Sequence, residues 1–190
     1  SALGHTFVDD AAYLRSVIEE VGRSFAMDRK RIFLTGLSNG AAMADRVAFE
    51  SADLVAGIAS QAGDSIPDLG SRRPSEPVSV LHIHGTADGT ISYTGGYLTN
   101  PNWPRYLSAV ENIQTWADYN GASNPVSDPT PTLDLTTDVA GLDTVVTRYT
   151  TFPPSGAVEL WTINGAGHVP TRSSQFSPRV IDWLLAHPKP

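Results

Sequence analysis

Apolar positions along the chain switch between the period of a helix and the period of a strand. Val8, Ala11, Leu14, Val17, Ile18, Val21 and Phe25 follow at three- and four-residue steps, predicting an amphipathic helix over residues 7–25. Thr6 is the expected N-cap, with Asp9 and Asp10 in the first turn where the helix dipole favours negative charge. Arg31 to Thr35 is a short, nearly continuous apolar run, as expected of a strand covered on both faces. An alanine-rich helix is predicted from about Asn39 to Phe49, then strands at about Leu54 to Ala59 and Val78 to His84. A helix from about Tyr106 to Tyr119 comes next, and the Asn-, Pro-, Ser-, Asp- and Thr-rich stretch from Asn120 to Asp138 reads as a surface loop. Two strands, Thr144 to Thr151 and Val158 to Ile163, flank Pro153-Pro154-Ser155-Gly156 and predict a hairpin. A last helix from about Gln175 to Ala186 closes before Pro188. Alternation of this kind predicts one α/β domain over residues 1–190, with helices on both faces of a mostly parallel sheet.

The 190 residues are enough for one filled core and too few for two ordinary domains. Apolar residues at 41% and charged residues at 17% are a globular composition. A net charge of -7 argues against nucleic acid and against an anionic membrane surface, because no basic face can displace counterions. No apolar run approaches the ~20 residues that span a bilayer. The chain has no cysteine, which removes disulfides, thiolate metal sites and a thiol nucleophile.

The first candidate chemistry lies between the Arg31 strand and the helix after it, at Gly36-Leu37-Ser38-Asn39-Gly40. Gly-x-Ser-x-Gly is a weak pattern alone, since a plain glycine–serine turn has the same letters. In a strand–turn–helix context it strains the serine and lifts its hydroxyl clear of the sheet. Gly36 and Gly40 are expected to supply the space for that turn. The helix N-terminus faces the reaction centre, making the Asn39 N–H the expected first oxyanion donor.

A serine hydroxyl needs a base, and the base needs a carboxylate to hold its tautomer. On such a fold the chain order is serine, acid, histidine. Of the five histidines, His5 precedes the serine, His82 and His84 lie in or at the end of a strand, and His187 is near the C-terminus. His168, in the glycine-rich turn Asn164-Gly165-Ala166-Gly167-His168 after the last strand, is the candidate base. Asp88 in His84-Gly85-Thr86-Ala87-Asp88, just past a buried strand, is the candidate acid, with Asp64 as runner-up. His84 reads as ordering this loop by hydrogen bonding. No cluster resembles a metal site, and no cofactor is expected.

Three motifs taken together, Gly36 to Gly40, Leu81-His82-Ile83-His84-Gly85-Thr86-Ala87-Asp88 and Trp161 to His168, resemble the polyhydroxybutyrate depolymerase and feruloyl esterase group of α/β-hydrolases. Val8 to Leu14, Asp28 to Phe33 and Glu111 to Gly121 are similar too, so the resemblance covers nearly the whole chain. It implies a serine esterase of the α/β-hydrolase fold, with Ser38, Asp88 and His168 as triad and ester hydrolysis through an acyl-enzyme. It also implies secretion, although no signal peptide stands in the sequence. Feruloyl, acetyl or other short-chain esters, free or polymer-linked, and polyhydroxyalkanoate-type esters are the implied substrates. Where family members often carry a cysteine this chain has Ala122. The strands, helix and His-Gly oxyanion loop that precede the matching region in complete members have no counterpart here.

That departure predicts an open sheet edge at Ile32, Phe33 and Leu34, and an apolar edge invites pairing with another chain. The edge near Phe33 is therefore expected to be covered, by a symmetric subunit in a homo-oligomer, a swapped segment or a preceding fragment. Tyr93, Tyr97 and Trp103, between Asp88 and the next helix, are candidates for an acyl- or aryl-binding wall. Two rivals stay open: a peptidase of the prolyl-oligopeptidase type, which shares fold and triad order, and a non-catalytic remnant that binds a partner through the open edge.

Overall fold

A computed structural model describes residues 9–63, 72–97 and 105–190. In chain order the elements are α1 (Asp10–Ser24), β1 (Phe33–Leu37), α2 (Asn39–Glu50), β2 (Gly57–Gln61), β3 (Ser79–Gly85), α3 (Ala109–Asn120), β4 (Ser123–Ser127), β5 (Thr144–Thr151), β6 (Val158–Ile163) and α4 (Phe176–Leu185). The strands form one six-stranded sheet in the order β1-β2-β3-β6-β5-β4. β1, β2, β3 and β6 run parallel, and β5 and β4 add on antiparallel. The parallel strands β2 and β3 are buried at every position, which explains their lack of alternation.

Side-chain alternation splits the core into two layers. Ile58, Val80, Val158 and Leu160 point to the face covered by α2 and α3, where Val47, Phe49, Ile113 and Trp116 close the first cluster. Ala59, Leu81, Ile83 and Trp161 point to the other face, under Phe176, Val180, Trp183 and Leu184 of α4. Within the first layer the buried Trp116 indole N–H donates to Asp45 Oδ1 at 2.8 Å, tying α3 to α2.

Several boundaries differ from the sequence expectation for physical reasons. Asp9 caps α1 by accepting the Ala12 N–H at 3.0 Å; Thr6 lies outside the described residues. β1 runs two residues further than the apolar run suggests, because pairing with β2 continues to Leu37↔Gln61. Leu54 and Val55 belong to the turn that ends α2, their N–H groups both reaching Ser51 O, so β2 starts only at Gly57. α3 starts at Ala109, where Ser108 and Glu111 form a reciprocal capping box. Tyr106 instead bridges to Gly96, and its hydroxyl accepts the Ser92 N–H.

The stretch read as a surface loop contains β4. All five of its residues are exposed, so hydrophobic periodicity carries no trace of it. It is held by pairing with β5 and by polar contacts such as Asn124 Nδ2 to Thr151 Oγ1 at 2.8 Å. Pro125 within it suits an edge strand. At the opposite edge, β1 pairs with β2 alone among the described residues, as the sequence expectation had it.

Candidate active site

Ser38 stands between the end of β1 and the start of α2 with φ 57° and ψ -122°. A non-glycine residue held there is strained by about 1–3 kcal/mol, and the surroundings must over-determine it. The Ser38 N–H donates to Gln61 O at 2.9 Å, and Ser38 O accepts from Ala41 and Ala42 of the first helical turn. The two glycines of the motif are unequal, which corrects the expectation that both supply space. A Cβ on Gly36 would lie 2.2 Å from the Gly40 carbonyl carbon and oxygen, whereas a Cβ on Gly40 would meet nothing within 4 Å. Gly36→Ala is predicted to yield no soluble folded chain, or one destabilised by more than about 3 kcal/mol. Gly40→Ala is predicted to fold normally; urea unfolding of both variants checks this contrast.

Asp88 and His168 come to Ser38 from the ends of adjacent parallel strands. β3 delivers the Asp88 turn and β6 delivers the loop to His168. The two loops touch at Gly85, where an added Cβ would lie 2.2 Å from Ala166 O. Across this contact His168 Nδ1 is 2.7 Å from Asp88 Oδ2, and His168 Nε2 is 2.9 Å from Ser38 Oγ. The Asp88 carboxylate is fully buried and the His168 ring is 16% exposed, so a ligand can reach His168 and not Asp88. Asp88 Oδ1 accepts the N–H groups of Thr90 and Ile91 at 2.8 and 2.9 Å.

His82 and His84 share the strand face toward α3 and are buried side by side, their rings 5.3 Å apart. Burial pushes the His82 imidazole well below its usual range, with His84 adding to the effect. Burial lowers His84 too, against the opposing pull of the Ile91 carbonyl and Asp88. Both rings are thus neutral when folded and take up protons on unfolding. The unfolded chain binds more protons as pH falls through the ordinary value of 6.5, so folding stability must fall with it. The expected slope is up to about 1.4 kcal/mol per pH unit for each histidine. Urea unfolding between about pH 7.5 and pH 5.5 reads it, and stability that stays level or rises on acidification would contradict it.

The other expected residues fall as follows. Asn39 is the first residue of α2, where an N–H has no acceptor within the helix itself. Tyr93 is half-buried against the first core cluster, with its hydroxyl 2.9 Å from Thr162 Oγ1 and its ring edge-on to His84. Tyr97 is 59% exposed. Trp103 and Asp64 lie outside the described residues. Sequence reasoning missed Gln61, whose carbonyl holds the Ser38 backbone, and the partners of His82, which are Ser60 and Asn112. His84, expected to order this loop by hydrogen bonding, reaches the Ile91 carbonyl oxygen at 2.8 Å, whereas nothing in the sequence signalled the partners of His82.

No family model matches the chain. It is 29% identical over 168 residues to feruloyl esterase B of Piromyces equi, covering 86% of this chain and 29% of that protein. It is 27% identical over 118 residues to the bifunctional acetylxylan esterase/xylanase XynS20E of Neocallimastix patriciarum, covering 61% of this chain and 17% of that protein. The chain therefore spans less than a third of either relative. Among solved structures, the acetyl xylan esterase from Aspergillus awamori superposes with a TM-score of 0.59 at 14% identity, covering 92% of this chain and 66% of that one. The chain is thus an α/β-hydrolase in fold, and the proteins it resembles in sequence and in structure are named esterases.

Proposed function

We propose that this chain is a serine carboxylic-ester hydrolase that works through an acyl-enzyme. The observation that carries the reading is the unbroken Ser38–His168–Asp88 hydrogen-bond chain built on a strained strand-to-helix turn. In the first half-reaction Ser38 Oγ bonds to the ester carbonyl carbon while His168 Nε2 takes its proton. Asp88 holds Nδ1–H toward itself and stabilises the imidazolium. The carbonyl oxygen becomes an oxyanion directed at the Asn39 N–H. The tetrahedral adduct then collapses, the C–O bond to the alcohol breaks, and His168 protonates the departing alkoxide. Water, deprotonated by His168, next attacks the acyl carbon, and Ser38 leaves with that proton as the free acid departs.

The names of the relatives favour feruloyl and acetyl esters, and the three sequence motifs extend the class to other short-chain and polyhydroxyalkanoate-type esters. Of the two described tyrosines in the loop after Asp88 expected to form an aryl-binding wall, Tyr97 is exposed whereas the Tyr93 hydroxyl lies against Thr162, which favours Tyr97 as the one that receives an aryl group. A parallel assay of p-nitrophenyl acetate, methyl ferulate, acetylated xylan and hydroxybutyrate oligomers tests the reading. Turnover of at least one ester, with acyl-Ser38 trapped by acid quench, is expected. Faster amide than ester turnover would move the assignment to a peptidase, and turnover of nothing would leave a partner-binding remnant.

The open edge bears on rate. Beside it, on the α4 face, lies a hollow of about 190 Å³ lined by Thr35, Ala59, Phe176, Val180 and Ile181, and Ile181 is 53% exposed. We propose that β1 is paired in the active protein, and that its neighbour, a second copy or a further segment, supplies the second oxyanion donor. Lack of one donor costs about 2.7–4 kcal/mol in the barrier. Sedimentation combined with activity tests this: association that tracks activity is expected, and a strict monomer of this chain with a fast esterase rate would contradict it.

A further inference from the structure

Behind Asp88 runs a line of buried polar side chains that the ester-hydrolysis steps leave unused. His84 Nε2 lies 2.8 Å from the Ile91 carbonyl oxygen and 3.2 Å from Asp88 Oδ2. Both neighbours are acceptors, so Nε2 must carry the proton. In a neutral ring that leaves a lone pair on Nδ1, and His82 Nε2, 3.1 Å away, must donate to it. His82 Nδ1 is then an acceptor, and it faces the Ser60 hydroxyl at 2.9 Å and the Asn112 side-chain amide at 3.2 Å. Acceptors at one end and donors at the other thus impose a single tautomer on both rings. Burial keeps both rings neutral, which is the state this pattern requires.

A histidine buried in a strand is most simply a satisfied core residue, and one hydrogen bond to Ile91 O would satisfy Nε2. Two features go further. His84 Nε2, whose proton is directed at Ile91 O, also lies 3.2 Å from Asp88 Oδ2, the oxygen that receives the His168 Nδ1–H. It further grips the carbonyl of Ile91, whose own N–H donates to Asp88 Oδ1. The His84 ring thus packs against Oδ2 of the carboxylate, and the loop is tied through both the N–H and the C=O of Ile91. Asp88, His82 and His168 are the titratable groups nearest His84, together with Tyr93, whose ring lies edge-on at 5.7 Å.

We propose that His84, with its tautomer imposed through His82 by Ser60 and Asn112, is a positioning residue for the Ser38 reaction that fixes the Asp88 oxygen holding His168. This rests on the ester-hydrolase reading above. His84→Leu keeps bulk and removes the donor, whereas His84→Gln can return an amide N–H near the Nε2 position. With p-nitrophenyl acetate, His84→Leu is expected to lower kcat by about 10–100-fold, by analogy with the loss when an outer hydrogen-bond partner of a metal-ligating residue is removed. KM should stay within about twofold, and His84→Gln should recover most of the loss.

Proton NMR of the intact chain supplies a readout independent of turnover. The His168 Nδ1–H resonance, far downfield in the wild type, should broaden or vanish in His84→Leu and return in His84→Gln. A merely structural role predicts a lower melting temperature with kcat and the resonance unchanged, and that outcome overturns the proposal. Should His84→Leu not fold, the double variant Ser60→Ala/Asn112→Leu removes both donors to His82 Nδ1 and releases the far end of the line. Its resonance should move the same way, and an unmoved one overturns the proposal equally. A wild type no faster than Ser38→Ala would end the esterase reading, while the NMR comparison would still decide whether His84 positions Asp88.

Discussion

Ser38→Ala should lose ester hydrolysis almost completely, with kcat falling by about 10⁶-fold while the fold survives. Ser38 Oγ makes one side-chain contact of note, with His168 Nε2, so its removal leaves the strained turn with its backbone partners Gln61, Ala41 and Ala42 intact. An unfolding midpoint close to the wild type is therefore expected. His168→Ala should fall nearly as far, because a hydroxyl without a base is as ineffective as a base without a hydroxyl. The double variant should be little worse than either single one. Additive losses would mean that the two residues do not act on one proton. Initial rates on p-nitrophenyl acetate for all four proteins decide it.

Asp88→Asn should be the next most damaging change, by about 10⁴-fold in kcat. The reason lies in the donors around the carboxylate. Thr90 N–H and Ile91 N–H point at Oδ1, and His168 Nδ1 and His84 Nε2 lie against Oδ2. An amide has one acceptor oxygen, so either its NH₂ confronts the two backbone donors or it faces the two imidazoles. In the second orientation it drives the proton of His168 to Nε2, where it can no longer accept from Ser38. Stability should fall as well, since a buried donor left against another donor costs about 1–3 kcal/mol. Rate at saturating ester together with urea unfolding separates these effects, and an Asp88→Asn variant with nearly full kcat would remove Asp88 from the mechanism.

The parts of the molecule legible in the sequence are those where one physical demand leaves one kind of residue. The buried strands β2 and β3 admit only small or apolar side chains on most positions and so stand out as runs. The turn at Ser38 demands a glycine at position 36, and the order serine, acid, histidine follows from which strand ends meet. Features held by backbone or polar pairing were silent. β4 buries nothing, so only its hydrogen bonds to β5 define it. The change from strand to turn at Leu54 rests on the Ser51 carbonyl, which composition does not reveal. Gly40 shows the reverse error: a motif letter suggests a steric need that the space around it does not impose. The line from Ser60 to His84 joins β2, β3 and α3, and no spacing along the chain encodes the lateral register that aligns Ser60 with His82.

The central claim is that Ser38 is a nucleophile activated by His168. Reaction of the chain with a fluorophosphonate ester, followed by peptide mass spectrometry, tests it most directly, because the reagent bonds to an activated serine and needs no knowledge of the natural ester. The account predicts stoichiometric modification of Ser38 in the wild type, and none on the same timescale in His168→Ala. An unmodified Ser38 in the folded wild type, or equal labelling with His168 removed, would contradict it.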